Sequence, residues 1–186
     1  MNENLGETSF TDSMVKLNLS HEVVKCDVHL VDCAAMPVRA HDTDVGYDVK
    51  AISVEYVYEK RKWWQKLLHI EPRIKTIKCD TGVVLMPEKD YWWMAVANSR
   101  SAKMPFVLGN GCGIIDPDYR GTVRFIYNVL PYAEVSNNDI KEFFNCGRAI
   151  GQLIPMRRYN AALNEVEVKT ETERGEGGFG STEKKQ

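Results

Sequence analysis

The sequence lacks the features that mark several large classes of protein. No run of apolar residues is long enough to span a bilayer, and the N-terminus has no basic-then-apolar signal pattern. The formal net charge is −2, so no overall basic field draws the chain to nucleic acid or to an anionic membrane. These absences argue against a membrane partner and against nucleic acid. They predict a cytoplasmic protein, of cellular origin or encoded by a virus or phage and acting in the host cytoplasm.

Cysteine is scarce and unpatterned. The cysteines are odd in number and have no paired metal-ligand spacing, and the four histidines are also dispersed. The cysteines are Cys26, Cys33, Cys79, Cys112 and Cys146. They read as reduced thiols rather than as a disulfide frame or a zinc site, which agrees with a cytoplasmic setting.

What the sequence does contain is a series of short segments with strand-like alternation. In residues 122–129, for example, every second side chain is Val, Phe or Tyr. Glycine, proline and asparagine separate these segments, which predicts an all-β fold of the jelly-roll or a related barrel type. The length of 186 residues suits one domain. Residues 1–20 are interpreted as a loose N-terminal arm, residues 21–168 as the β domain and residues 169–186 as a flexible C-terminal arm.

Two segments depart from the strand pattern. Ser136 and its neighbours are N-cap residue types, which predicts one short helix over residues 139–144. An insert at about residues 56–76 is basic and aromatic around Trp63 and Trp64 and forms a helix or a hairpin. It either binds nucleic acid by stacking and charge, or packs its tryptophans on the body or on a neighbouring subunit. The slightly acidic chain favours packing.

The stretch from Gly109 to Gly121 is the most informative part of the chain. Its glycines let the backbone approach a ligand closely, and Asp116 follows an apolar pair, which we expect to be buried, where an Asp can act as a base. Tyr119 offers a flat ring to a nucleobase or a sugar. An ordinary hairpin, with Gly and Asp as turn formers, explains the same composition.

This stretch resembles the third motif of the trimeric deoxyuridine triphosphatases (dUTPases). The family's first, second, fourth and fifth motifs are matched in order by residues 40–49, 98–102, 147–154 and 174–182. The likeness runs from about residue 24 to residue 182, and the third and fifth motifs are its most specific parts. It implies a dUTPase-type jelly-roll β-barrel, a homotrimer with shared active sites, and hydrolysis of dUTP to dUMP and diphosphate.

The resemblance assigns a role to each part of the site. Asp116 is the catalytic residue, because the family aspartate orients the water that attacks the α-phosphorus. Main-chain groups and the Asn110 amide recognise uracil, and Tyr119 excludes a ribose 2′-hydroxyl. The sugar- and base-binding set is Asn110, Gly113, Ile114, Ile115, Tyr119 and, stacking from the tail, Phe179.

A second set of residues is expected to bind the phosphate chain, because arginine and amide groups donate hydrogen bonds to phosphate oxygens. This set is Arg100, Ser101, Ala102, Gln152, Arg174, Gly180, Ser181 and Thr182. Asp48 supports a Mg²⁺ network through water, since Mg²⁺ keeps several of its waters. Residues 169–186 would fold over the nucleotide as a lid, which their glycines permit.

Two positions depart from the family pattern. Ala102 stands where the family usually has glycine, and its N–H contact survives only if φ is not strongly positive. In the fourth motif, Arg148 comes one residue before the usual arginine. On a strand that shift turns the side chain to the opposite face, unless a β-bulge absorbs it.

Two alternative functions stay open. A dCTP deaminase shares the fold and an Ile-Asp-Pro turn, but its chemistry requires a glutamate on the strand after the hairpin. Residues 123–127 contain no carboxylate there. A regulatory binding protein could instead act on a protein partner through the Trp-rich insert, with or without catalysis.

Overall fold

The computed structural model describes residues 23–131, 133–145 and 147–172, together with Gly175. Within them the chain forms ten strands, two short α-helices and one 3-10 helix. The strands are β1 (Cys26–Leu30), β2 (Tyr47–Lys50), β3 (Ser53–Tyr58), β4 (Ile74–Asp80), β5 (Val83–Pro87), β6 (Tyr91–Val96), β7 (Phe106–Leu108), β8 (Gly113–Ile115), β9 (Arg124–Val129) and β10 (Ala149–Arg157). The helices are α1 (Trp63–Leu67), α2 (Asn137–Phe143) and the 3-10 helix Ser99–Lys103.

The strands form three antiparallel sheets. Two have four strands, in the orders β2-β10-β6-β8 and β3-β4-β9-β7, and the third pairs β1 with β5. The all-β, jelly-roll-like architecture predicted from the sequence is confirmed. A closed barrel is not formed by the described residues, because no ladder joins the three sheets edge to edge.

One hydrophobic core receives side chains from all three sheets and from α2. Its centre is aromatic: the ring of Phe106 lies 4.8 Å from that of Phe143, 4.9 Å from Phe144 and 5.5 Å from Tyr127. Edge-to-face and tilted rings at these distances are favourable aromatic pairs. Helix α2 is thereby held against the sheet that contains β7 and β9.

Helix α2 confirms the predicted short helix, with one difference at its start. Ser136 is the N-cap, and its Oγ accepts from the Asp139 backbone N–H at 3.1 Å, while the Asp139 carboxylate accepts from the Ser136 N–H. This reciprocal capping box makes Asp139 the third helical residue rather than the first. The helix therefore begins at Asn137, two residues earlier than predicted.

The insert is the connection between β3 and β4. Its two ends meet where the Glu59 N–H donates to the Arg73 carbonyl at 2.9 Å. Asn137 of α2 holds the base, accepting from the Ile74 N–H at 2.9 Å and donating to the Pro72 carbonyl at 3.0 Å. The tip contains α1, so the helical form of the predicted insert is confirmed. No described helix has the length and apolar character needed to cross a membrane.

The described residues do not bury the tryptophans, so the predicted packing on the body is wrong, whereas the other predicted option, packing on a neighbouring subunit, stays a prediction. Trp63 is 77% exposed, and Trp64 is also exposed. The reason is that α1 buries none of its residues.

Candidate active site

The sheet β2-β10-β6-β8 carries three of the sequence motifs, and the second motif follows β6 directly. In its register, Asp48 lies opposite Gln152, Gln152 opposite Val96, and Ala95 opposite Gly113. Four motifs that are far apart in the chain are thus brought onto or beside one sheet.

Asp48 and Gln152 are in direct contact. The Gln152 Nε2 donates to the Asp48 Oδ1 at 3.0 Å, and two backbone bonds with Val38 fix the main chain of Asp48. A side chain at residue 46 would crowd this amide, because a Cβ on Gly46 would lie 3.0 Å from Gln152 Oε1. An amide nitrogen has two N–H groups, so one remains for a phosphate oxygen.

Arg100, in the 3-10 helix, is turned inward. Its Nη2 donates to the Phe143 carbonyl at 3.1 Å and to the Ala149 carbonyl at 2.9 Å, and its guanidinium lies 4.1 Å from the Phe143 ring centre. The Nε is buried and has no hydrogen-bond partner among the described residues. Burial lowers the pKa of Arg100, and the nearby charge of Arg148 lowers it further. Two guanidinium groups close enough to repel form a place where an anion is stabilised.

The fourth motif, in which the arginine is shifted by one residue, contains a β-bulge, which is one of the two options that the shift left open. The pairing of β10 with β2 shifts register between Ala149 and Gly151. The Ala149 carbonyl, beside this bulge, accepts from Arg100 and from the Asn98 side-chain amide at 3.1 Å. Arg148 is exposed next to it. The bulge thus links the second and fourth motifs through one carbonyl.

The other members of the second motif are compatible with the phosphate role. Ser101 is buried, and its hydroxyl donates to the Asn98 carbonyl. Ala102 is not among the described non-glycine residues with positive φ. The predicted N–H contact to phosphate therefore does not depend on having glycine at this position.

The third motif forms a tight turn into β8. The Gly111 N–H donates to the Leu108 carbonyl at 3.0 Å, and the Cys112 N–H donates to the Asn110 carbonyl at 2.8 Å. Gly111 has φ of 71°, where glycine is favoured. A Cβ on Gly113 would lie 3.2 Å from that of Ala95, so only a small residue lets β8 come this close to β6.

The expected burial of the apolar pair before Asp116 is wrong. Ile114 is 65% exposed and Asp116 is exposed, whereas Ile115 is partly buried. The reason is that β8 is an edge strand, and Ile114 pairs with Met94 on the face that points away from the core. Among the residues that the structure describes, none shields Asp116, so it is accessible to a ligand.

Tyr119 lies over the end of the same motif. Its hydroxyl donates to the Thr122 carbonyl at 3.3 Å, and a Cβ on Gly121 would lie 2.3 Å from the Tyr119 hydroxyl oxygen. The ring is half exposed. Gly121 is therefore needed because a side chain there would clash with the Tyr119 ring, and not because a turn demands a special backbone conformation.

The two halves of the site lie at opposite corners of the sheet. From Asp48 to Asp116 the register crosses three strand spacings of about 4.8 Å and four residue steps of about 3.3 Å, or roughly 20 Å in all. At that separation we do not expect one nucleotide bound at Asp116 to place its phosphates on the same chain's Gln152 and Asp48.

The fifth motif adds no side chain to either half within the described residues. Arg174, Phe179, Gly180, Ser181 and Thr182 lie outside them, as do the N-terminal arm of residues 1–20 and most of the predicted lid. Their roles stay predictions.

Sequence reasoning missed two side chains beneath the site. The Tyr127 hydroxyl donates to the Ile150 carbonyl at 2.6 Å, and a Cβ on Gly151 would lie 2.3 Å from Phe125. Burial moves the pKa of Tyr127 well above its ordinary value, so this hydroxyl stays protonated and donating. The alternation of residues 122–129 put both rings on one face, but it gave no sign that they support the fourth motif.

The described residues contain no group of three or more His, Cys, Asp or Glu side chains arranged to hold a metal ion. The described residues therefore do not form a metal site made of protein ligands alone. The Asp48 carboxylate contacts Gln152, a predicted phosphate ligand, which suits a Mg²⁺ ion coordinated mainly by phosphate and water.

Comparison with known proteins agrees with this geometry. The family model described as dUTPase matches residues 32–183. The deoxyuridine 5′-triphosphate nucleotidohydrolase of Escherichia phage T5 is 28% identical over 171 residues, which cover 91% of this chain and 98% of the relative.

Two solved structures share the fold. A mutant dUTPase of Staphylococcus bacteriophage 80alpha with dUpNHpp has a TM-score of 0.61 at 24% identity, covering 84% of this chain and 97% of the other. A mutant dUTPase of phage phi11 of S. aureus, which coordinates a structural Mg(II) ion, has a TM-score of 0.56 at 20% identity, covering 77% and 97%. At these identities the likeness establishes the fold.

Proposed function

This chain belongs to the dUTPase family, and from that membership we propose that it hydrolyses dUTP to dUMP and diphosphate with Asp116 as the residue that activates water. It is a dUTP nucleotidohydrolase. The observation that carries the assignment of residues is the placement of four motifs, in family order, on or directly beside one sheet.

The reaction is a displacement at the α-phosphorus. The Asp116 carboxylate accepts a proton from the water whose oxygen bonds to phosphorus, and the bond to the bridging oxygen breaks to release diphosphate. Asp116 is exposed at the end of an edge strand, so substrate and water can reach it. Closing the site by the tail would then exclude bulk water, which strengthens each electrostatic contact.

The base and the phosphates are held by different groups. The turn around Asn110 offers backbone groups at a close approach, and the Tyr119 ring closes the sugar side. Gln152, Arg100 and the Ser99–Lys103 turn take the phosphate chain. Two carbonyls hold the Nη2 of Arg100, so its contact with phosphate would use Nη1.

Mg²⁺ would reach the site with the triphosphate. Asp48 would hold it through water, and the ion would neutralise phosphate charge.

We propose a homotrimer in which one site uses Asp116 of one subunit and Asp48 of another. The separation of roughly 20 Å along the sheet supports this. The sheet also offers an apolar face turned away from the core, which suits a subunit contact. The side chains on it are Trp92, Met94, Val96, Ile114, Ile154 and Met156.

Replacement of the catalytic carboxylate tests the hydrolytic role. Asp116→Asn should lower kcat for dUTP by about 10²- to 10⁴-fold, because the amide cannot accept the proton, and it should leave the melting temperature unchanged. Asp118→Asn, in the same turn and also exposed, is the matched control. Diphosphate and dUMP are measured with dUTP, dCTP and dTTP. Full turnover by Asp116→Asn would contradict the assignment, and ammonia released from dCTP would favour the deaminase alternative.

Mixed trimers test the shared site. Asp116→Asn and Asp48→Asn are each expected to be inactive, but in randomly mixed trimers about one quarter of the sites combine both native residues. Activity should therefore reappear on co-refolding, measured as diphosphate release. A mixture as inactive as its components would place both residues on one chain.

The insert supports a second role for the protein. Its exposed tryptophans lie on the β3–β4 connection, and β3 and β4 belong to a different sheet from the one that carries the motifs, which supports the prediction that the insert contacts a partner. The sequence alone suggested a regulatory protein as that partner. Localisation in the cytoplasm stays a prediction.

A further inference from the structure

The insert helix, α1, presents a continuous apolar surface to solvent. Trp63 is 77% exposed and Leu67 is 71% exposed, and Trp64 and Leu68 are exposed beside them. At 100° per residue these four side chains occupy an arc of about 140° on one side of the helix. An arc of that width normally faces a core.

Gln65 is the only partly buried residue of α1, and it lies outside the apolar arc. Its side chain folds back on the start of the helix, where Oε1 accepts from the Lys62 N–H. The apolar arc is turned toward water. Large exposed apolar patches of this kind mark contact sites.

The conformation of α1 is fixed although no side chain of it is buried. At the start, the Lys62 N–H donates to Gln65 Oε1 at 2.8 Å. At the end, the Ile70 N–H donates to the Gln65 carbonyl at 3.0 Å and the His69 N–H to the Lys66 carbonyl at 3.3 Å, with His69 at φ of 51°. This is a Schellman ending. Hydrogen bonds at both ends thus hold the helix that carries the apolar surface, although no residue of α1 is buried.

The charge of the tip is opposite to that of the rest of the chain. Residues 60–70 carry four cationic side chains and no carboxylate: Lys60, Arg61, Lys62 and Lys66. The net charge of −2 for the whole chain then leaves −6 on the remainder. The tip is attracted to an anionic surface, although Glu59 and Glu71 flank it, whereas the net charge of the remainder is repelled.

We propose that the partner of the insert is the surface of an anionic lipid bilayer. The indole rings of Trp63 and Trp64 would lie at the headgroup level, the leucines would reach the acyl boundary, and the lysines and Arg61 would contact anionic headgroups. This assigns peripheral binding. The net charge of −2 argued against attraction of the whole chain to an anionic membrane, but it does not describe a local cluster of basic residues such as this tip.

The symmetry of the proposed trimer is compatible with a flat partner. A three-fold axis places the three insert tips in one plane perpendicular to it, which permits all three to contact one planar surface. Three weak contacts to one surface reinforce one another. This step rests on the proposed trimer, whereas the apolar arc and the charge of the tip do not.

A protein or a nucleic acid fits the tip less well. Stacking on bases uses the two tryptophans but leaves Leu67 and Leu68 exposed to water. A protein partner would need a separate acidic and apolar recess for each insert. The bilayer interface accommodates aromatic, aliphatic and basic groups at once.

The test uses the full chain with vesicles of phosphatidylcholine alone and of phosphatidylcholine with about 30% phosphatidylglycerol. Co-sedimentation and tryptophan emission report binding. We expect at least tenfold stronger binding to the anionic vesicles, weakened by salt. Trp63→Ser/Leu67→Ser should lower that binding at least tenfold, and Lys60→Gln/Lys62→Gln should lower it about tenfold.

Matched controls remove similar groups elsewhere. Leu163→Ser/Val168→Ser deletes two apolar side chains that are 91% and 79% exposed, and Lys25→Gln/Lys89→Gln deletes two exposed lysines. Both should bind like the parent. Hydrolysis of dUTP and trimer mass are measured on every preparation and should be unchanged, which shows that each variant is folded.

Several outcomes would overturn the proposal: equal binding to both vesicle types, binding unaffected by Trp63→Ser/Leu67→Ser, or binding of a single-stranded oligonucleotide without binding of vesicles. Vesicle binding by the parent protein, with the mass of an intact trimer but without hydrolysis of dUTP, would support the lipid proposal and refute the catalytic roles. The two proposals therefore fail separately.

Discussion

Gly151, in the bulge of β10, is expected to be intolerant of even one added methyl group. A Cβ there would lie 2.3, 2.8 and 2.9 Å from three carbons of the Phe125 ring, whereas ordinary contacts are 3.4–4 Å. Phe125 is 1% exposed, and its ring is stacked on that of Tyr127 with 6.4 Å between centroids. The ring must therefore move by about 1 Å in a close-packed core.

The size of the effect follows from this geometry. Overpacking of a core costs about 1–3 kcal/mol, and a clash with a ring that has no room to turn places Gly151→Ala near 3 kcal/mol. For a chain of this size that corresponds to a fall in melting temperature of about 6–12 °C. Because Gln152 is the next residue, kcat/KM for dUTP should fall as well.

Scanning calorimetry at a fixed protomer concentration measures the effect, since subunit association makes the melting temperature concentration-dependent. Gly147→Ala is the control for backbone strain: its φ is 94°, but a Cβ there meets nothing within 4 Å, so it should cost only about 1–2 kcal/mol. Gly151→Ala/Phe125→Leu should regain at least about 1 kcal/mol relative to the sum of the single changes. A melting temperature within 2 °C or so of the parent for Gly151→Ala would refute the reasoning.

Two further predictions concern stability. Tyr127→Phe removes the donor to the buried Ile150 carbonyl and should cost about 1–3 kcal/mol by denaturant unfolding; an unchanged midpoint would mean that the carbonyl finds another partner. Burial raises the pKa of Asp80, but hydrogen bonds from the Gly82 N–H, the Thr122 hydroxyl and Arg124 outweigh it, so the pKa is lowered overall. Its stabilisation is therefore complete above about pH 4 and is lost as pH falls through the lowered folded-state pKa. Asp80→Asn should flatten the acid side of the curve of melting temperature against pH, and an unaltered curve would count against this.

The elements that the sequence predicted well depend on local chemistry. Ser136 predicts the start of a helix because its hydroxyl accepts from the backbone N–H three residues later. Residues 122–129 alternate between apolar and polar side chains because β9 has one face in the core. The order of the motifs identified the family without any structure. These signals lie within a few residues of what they specify.

The errors concern relations between distant parts of the chain. Whether Ile114 is buried depends on β8 lying at a sheet edge, which no neighbour in sequence reveals. Arg100 turns inward because carbonyls at residues 143 and 149 are there to accept its N–H groups. The basic and aromatic composition of the insert was visible, but composition does not show whether the tryptophans are covered by the rest of the chain.

The closure at the base of the insert has a consequence for how this chain tolerates change in length. The bond between Glu59 and Arg73 and the two bonds from Asn137 complete the β3–β4 hairpin before the insert begins, so the tip is a loop whose ends are already joined. The entropy of such a loop grows only with the logarithm of its length, about 0.6 kcal/mol for each doubling. We therefore expect residues 60–71 to be an interchangeable module, which can be lengthened, shortened or replaced while the sheet and its hydrolytic chemistry stay in place.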